Sequence, residues 1–155
     1  MSLPLHLTKR LTTRPTSPPE TTAAIVSYNV HPSPADWLRL HGEIFLSGVD
    51  RWTAARFQRE VTARDWFSPQ QMWWAIHPSR PQASGVVTLE VGGEQGRIHW
   101  LMVDAAVRRQ GVASALLCAL EQAAWDAGVH QLSAETLASW RPAVTFYGRH
   151  GYETA

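Results

Sequence analysis

The chain has 155 residues, 45% of them apolar and 17% charged, with a formal net charge of +1. That is the balance of one globular domain around a single core, and so small a net charge gives no bulk argument for a nucleic-acid partner. No apolar run approaches the roughly 20 residues that span a bilayer, no apolar signal core opens the chain, and one cysteine and seven histidines are spaced for neither a disulfide nor a metal, so the expectation is a cytoplasmic protein with no metal and no membrane partner.

Residues 1–22 are rich in Thr, Ser and Pro, with Pro4, Pro15, Pro18 and Pro19, and read as an N-terminal extension ahead of a single domain over 23–155. The alternation of Leu3, Leu5 and Leu7 allows a short strand within it. Ala24 to Val30 is β-branched and aromatic and predicts the first strand of the domain. Ser33-Pro34 then marks a helix start, and Trp37, Leu38, Ile44 and Phe45 give that helix an apolar stripe. A second helix is expected over Thr53 to Ala63, followed by a loop from Trp66 to Pro69. Gln71 to Ile76, Gly85 to Val91 and Arg97 to Val103 predict three strands, the last two joined by the turn residues Gly92 to Gly96 in an antiparallel meander.

From about Val112 to Ala127 apolar residues recur at Ala113, Leu116, Leu117, Leu120 and Ala124, one face of a helix, with Gly128 placed for its C-terminal cap. Cys118 lies inside this helix and reads as a small core residue. Gln131 to Thr136 predicts another strand, and Ser139 the cap of a last helix that Gly151 ends. The order is β-α-α-β-β-β-α-β-α.

Chemistry is concentrated at Asp104 to Leu117, DAAVRRQGVASALL. A helix N-terminus already carries partial positive charge and unpaired N–H groups, so Arg108 and Arg109 directly before it serve no stabilising purpose unless an anion sits there. Gly111 lets backbone approach that anion closely, and the arginines add charge-assisted hydrogen bonds. It is a diphosphate cradle by its physics. It is neither a Walker loop nor a dinucleotide fingerprint, because the Gly-Lys-Ser/Thr and Gly-x-Gly-x-x-Gly patterns are absent.

Val103 to Leu117, with Arg108-x-x-Gly111-x-Ala113, resembles the acetyl-CoA motif of the GNAT superfamily of N-acetyltransferases. Ala143 to Tyr152, AVTFYGRHGY, resembles the signature A-x-x-F-Y-x-x-x-G-F/Y on that family's last helix. The two motifs stand in the family's order with one strand between them. The resemblance is close from about Arg97 to Tyr152, is one of layout from Ala24 to Val91, and does not reach residues 1–22.

The resemblance implies an α/β domain with a mixed, mainly antiparallel sheet, helices on both faces, and C-terminal strands that are short or missing, since the chain ends soon after Gly151-Tyr152. The sheet edge would then be filled by the N-terminal arm or by a neighbouring subunit, as in a homodimer. It implies acetyl-CoA as cofactor, its pyrophosphate wrapped by Arg108, Arg109, Gln110, Gly111, Val112 and Ala113 with Ser114 behind. Leu101, Met102 and Val103 would pair with the pantetheine arm as a borrowed strand. Tyr147 takes the position of the acid near the cofactor sulfur. For the base, His99 stands where relatives often have a glutamate, with Glu135 and Glu90 as competitors. Trp140 stands where the family often has asparagine, which puts one cofactor contact in question. The implied reaction is direct acetyl transfer to a primary amine in a ternary complex, the acceptor being a small or amino-acid-like amine or, second, a peptide or protein amine. A catalytically silent acyl-CoA-binding or sensor domain is the alternative from another class. Five of the eight tryptophans fall before residue 75, where they fill core or line an acceptor pocket; adjacent Trp73 and Trp74 must point to opposite faces of their strand.

Overall fold

A computed structural model of the protein describes residues 3–16, 21–44 and 51–155; the readings at Pro18, Pro19 and Phe45 lie outside these. Strand β1 (Pro4–Arg10) is followed by β2 (Ala24–Ser27), helix α1 (Pro34–Ile44) and helix α2 (Ala54–Phe57), which runs on as a π-helical turn over Gln58–Thr62. Then come β3 (Met72–Ile76), β4 (Gly85–Gly92), β5 (Gln95–Val103), α3 (Val112–Asp126), β6 (Gln131–Leu137), α4 (Arg141–Arg149) and β7 (Glu153–Thr154).

The seven strands form one sheet in the order β2-β3-β4-β5-β6-β1-β7. Among the described residues only β5 and β6 pair in parallel, joined through the crossover helix α3 as a parallel pair requires; the other neighbours are antiparallel. Core lies on both faces. Leu116, Leu117 and Leu120 of α3 pack with Trp73 and Val87 on one side, while Trp37 and Leu40 of α1 pack with Phe57 and Trp74 on the other. The neighbouring tryptophans of β3 therefore serve opposite cores, as their alternation requires.

The alternation at Leu3, Leu5 and Leu7 has a larger consequence than a short strand in an arm. β1 is seven residues long and pairs with β6 throughout, from Pro4 opposite Leu137 to Arg10 opposite Gln131. It is inserted between β6 and the two-residue β7, so the N-terminal segment is an interior strand on that side of the sheet. Leu7 is 3% exposed in the α3-side core. Lys9 reaches the buried Glu121 of α3, with Nζ 3.1 Å from both carboxylate oxygens. The Tyr152 hydroxyl donates to the same carboxylate at 2.7 Å. One buried anion thus ties together the N-terminal strand, the central helix and the C-terminal end.

Local punctuation accounts for most boundaries. Ser33 Oγ accepts from the Asp36 amide at 3.2 Å at the start of α1, and Thr53 Oγ1 accepts from Arg56 at the start of α2. Gly128, with φ of 83°, follows α3. Two expectations shift. β2 ends at Ser27 rather than Val30, because a Ser27–Asn29 side-chain hydrogen bond draws the chain into a turn. α4 begins with Trp140, not Ser139, at its N-cap.

Candidate active site

Val86 faces Met102 and Thr88 faces His99 across β4 and β5. Two steps on one strand are matched by three on the other, which is a β-bulge. The extra residue is marked by Trp100, whose φ of 48° is left-handed, a conformation that costs a non-glycine residue about 1–2 kcal/mol. On its other side β5 pairs with β6 only over Gln95, Gly96 and Arg97. Beyond Arg97 the strands share no ladder, and a cavity of about 390 Å³ opens between them.

His99, Tyr147 and Glu135 all line this cavity. His99 Nε2 is 2.8 Å from Glu90 Oε1, and its ring stacks on Trp66 at 4.9 Å. Burial lowers the His99 pKa, opposed by Glu90 and assisted by the positive charge of Arg97. With Glu90 accepting from Nε2–H, Nδ1 carries the lone pair. Tyr147 is 7% exposed, held edge-on between Phe146 and Tyr152. Burial raises its phenol well above the ordinary value, so it keeps its proton across the neutral range. Glu135 is exposed at the mouth, where its carboxylate lies 3.6 Å from His6 Nδ1 of β1. Thr136 lines the same cavity and its buried hydroxyl has no partner among the described residues. Such an orphan calls for a ligand or water.

The cradle is held from behind by Asp104. Its Oδ1 accepts from the Ala106 amide at 2.9 Å, and Oδ2 is 3.4 Å from both Arg39 and Arg80. The chain then passes through a short 3-10 turn, Ala105–Val107, and turns left-handed twice, at Arg109 with φ of 66° and at Gly111 with φ of 76°, before α3 begins. Arg108 and Arg109 are exposed and form no ion pair among the described residues. They border a second cavity of about 390 Å³, together with Gly111, Ala113, Ser114 and Arg149. Leu101, Val103 and Val112 also line it, whereas Met102 faces the first cavity. Gln110 is exposed and lines neither. Ser114 Oγ is 2.9 Å from His150 Nε2. Ile44, Leu101 and Trp140 belong to both cavities, so the two form one bent groove with Trp140 at the elbow.

The groove suits an elongated anionic cofactor. Among the described residues, one end has arginines without ion pairs at a helix N-terminus, the middle has β5 backbone with no strand pairing it on the β6 side, and the far end has titratable groups. Arg149, Trp100 and His6 belong to this site and were not singled out in the sequence. Arg149 lies inside the second motif, so that signal was present. Nothing local announces the bulge at Trp100 or the partner strand of His6.

Comparison with known proteins agrees with the geometry. The acetyltransferase (GNAT) family matches residues 36–152. No curated protein matches the sequence. The fold is similar to that of a GCN5-related N-acetyltransferase from Sphaerobacter thermophilus, with TM-score 0.83 and 18% identity over 98% of this chain and 48% of that one, so the chain spans about half of that protein's length. It is similar to a Mycobacterium tuberculosis protein in complex with CoA, with TM-score 0.61 and 21% identity over 83% of this chain and 70% of that one. It is also similar to an aminoglycoside acetyltransferase from an uncultured soil metagenomic sample, with TM-score 0.65 and 19% identity over 82% and 84% of the two chains. With the family model matching residues 36–152 and the overall fold similar to that of an N-acetyltransferase, the chain belongs to the GNAT family of acetyltransferases, whose acetyl donor is acetyl-CoA.

Proposed function

We propose that the protein transfers an acetyl group from acetyl-CoA to the primary amine of a small or amino-acid-like acceptor, by direct attack in a ternary complex. The observation that carries this reading is the continuity of the groove: an anion cradle at one end leads past Trp140 into a cavity that holds both a protonated phenol and a neutral imidazole.

When bound, acetyl-CoA would supply the acetyl group as a thioester, giving it up to the amine and leaving as the free thiol of coenzyme A. Arg108, Arg109 and the amides after Gly111 would hold the pyrophosphate, with Arg149 adding a third cation. The free edge of β5 at Leu101 to Val103 pairs with amide groups as a strand would. An alkylammonium is mostly protonated at neutral pH, so a base must take its proton; His99 Nδ1 does so while Glu90 fixes the ring from Nε2. Backbone N–H groups of the bulged strand donate to the developing oxyanion. Tyr147 Oη gives its proton to the departing sulfur. Cys118 takes no part: its thiol is buried in α3, donates to the Thr16 carbonyl at 2.9 Å, and has a pKa raised by burial.

The test pairs binding with turnover. Coenzyme A should raise the Tm of the wild type, Tyr147→Phe and His99→Ala alike, while each substitution lowers kcat about 100-fold or more. Wild-type turnover in both variants would refute the assigned roles. A Tm gain with no turnover against any amine would replace the enzyme by a silent acyl-CoA binder.

A further inference from the structure

The cavity between β5 and β6 holds a specific pattern of charge. Parallel pairing sets Arg97 level with Ser133, and alternation places His99 and Glu135, each two residues further, on the same face. Ile98 and Ala134 between them point into the α3-side core. On β1, His6 stands opposite Glu135. Arg97 lies directly across from Glu90, yet that carboxylate is engaged by His99, and Arg97 forms no ion pair among the described residues. The carboxylate lining the cavity, Glu135, already faces His6. A polycationic acceptor would meet Arg97 there, a cation with no ion pair among the described residues, and one carboxylate lining the cavity, Glu135, which His6 already approaches. While Ser133 and Thr136 add hydroxyls on the β6 side, Trp100, Trp140 and Ile44 give the cavity an apolar and aromatic wall. Leu137 and Trp140, 46% and 40% exposed, carry that character out to the rim.

Resting on the acetyl-transfer reading, we infer that the acceptor is a free α-amino acid with a large apolar side chain. Its carboxylate pairs with Arg97, its amine stands beside His99, and its side chain lies against Trp100 and Trp140. Arg97 and His99 are two residues apart on one face, about 7 Å along the strand, a span that the flexible arginine bridges to a carboxylate adjoining the amine. A guanidinium offers a carboxylate two parallel hydrogen bonds, which makes the α-carboxylate the part of the acceptor this site reads most sharply.

The experiment measures binding apart from chemistry. N-acetyl-L-phenylalanine, its methyl ester and N-acetylglycine are titrated against the CoA-loaded protein, followed by tryptophan fluorescence, with the wild type and Arg97→Gln. The free acid of the phenylalanine derivative should bind about tenfold more tightly than either other compound, and Arg97→Gln should abolish its advantage over the ester while the Tm gain from coenzyme A stays intact. Equal binding of acid and ester, an acid preference that survives Arg97→Gln, equal binding of N-acetylglycine, or no binding at all overturns the inference. Turnover separates the two readings: discrimination in binding with no thiol release from acetyl-CoA and L-phenylalanine sinks acetyl transfer alone, whereas phenethylamine turning over as well as L-phenylalanine sinks the amino-acid assignment alone.

Discussion

Replacing Glu90 by glutamine separates two roles that its carboxylate combines. The amide oxygen can still accept from His99 Nε2–H, so the ring keeps its pose, but the negative charge is gone. With charge centres about 4 Å apart and an effective dielectric of about 20, the Coulombic term is about 4 kcal/mol. The two side chains are 21% and 32% exposed, which screens this to about 1–2 kcal/mol, or about one pK unit. Burial already lowers the His99 pKa and Glu90 opposes that shift, so removing the charge lets it fall further. The base works in its neutral form. The acidic limb of kcat/KM should therefore move about one unit toward lower pH in Glu90→Gln. Thiol release is followed across pH for both proteins with the same amine, so the amine's own ionisation cancels in the comparison. A limb that stays in place, or moves upward, refutes His99 as the titrating base.

Three further outcomes follow from particular contacts. Lys9→Met leaves the 5%-exposed Glu121 with Tyr152 as its remaining anchor, and should cost about 2 kcal/mol, lowering Tm by about 6 °C in calorimetry; an unchanged Tm would show that β1 is not held by this ion pair. Arg149→Gln should raise the Kd for coenzyme A about tenfold and flatten its salt dependence, measured by titration calorimetry at two ionic strengths; wild-type affinity would remove Arg149 from the cradle. Burial lowers the pKa of His41, His99 and His150. Below the ordinary value of about 6.5 the unfolded chain then binds more protons than the folded one, so the stability present above that pH is lost as pH falls through the folded values. Tm should decline from pH 7 to pH 5, and a flat profile across that window would contradict the burial of these rings.

The proposed cofactor end could be read from sequence because its physics is local. Two arginines, a glycine and an amphipathic helix occupy adjacent positions, so Arg108 to Ser114 could be read without any tertiary information. Tyr147 entered only through the resemblance of the second motif to the family's last helix. The acceptor end depends on contacts far apart in sequence. Trp100 has no residue type that favours a positive φ, and its bulge is imposed by the register against β4. His6 reaches the cavity only because β1 pairs with β6, a partner about 130 residues away; alternation at Leu3, Leu5 and Leu7 announces a strand but not its neighbour. Arg97 looked like an ordinary strand arginine until the structure showed the carboxylate opposite it engaged by His99.

The most direct measurement of the central claim is the stoichiometry of free thiol released from acetyl-CoA against N-acetylated product, the latter identified by mass spectrometry across a panel of amines. The account predicts equal amounts of both for at least one small primary amine, with the two falling together in Tyr147→Phe. Thiol without acetylated amine, or no thiol from a protein that still gains thermal stability from coenzyme A, would contradict it.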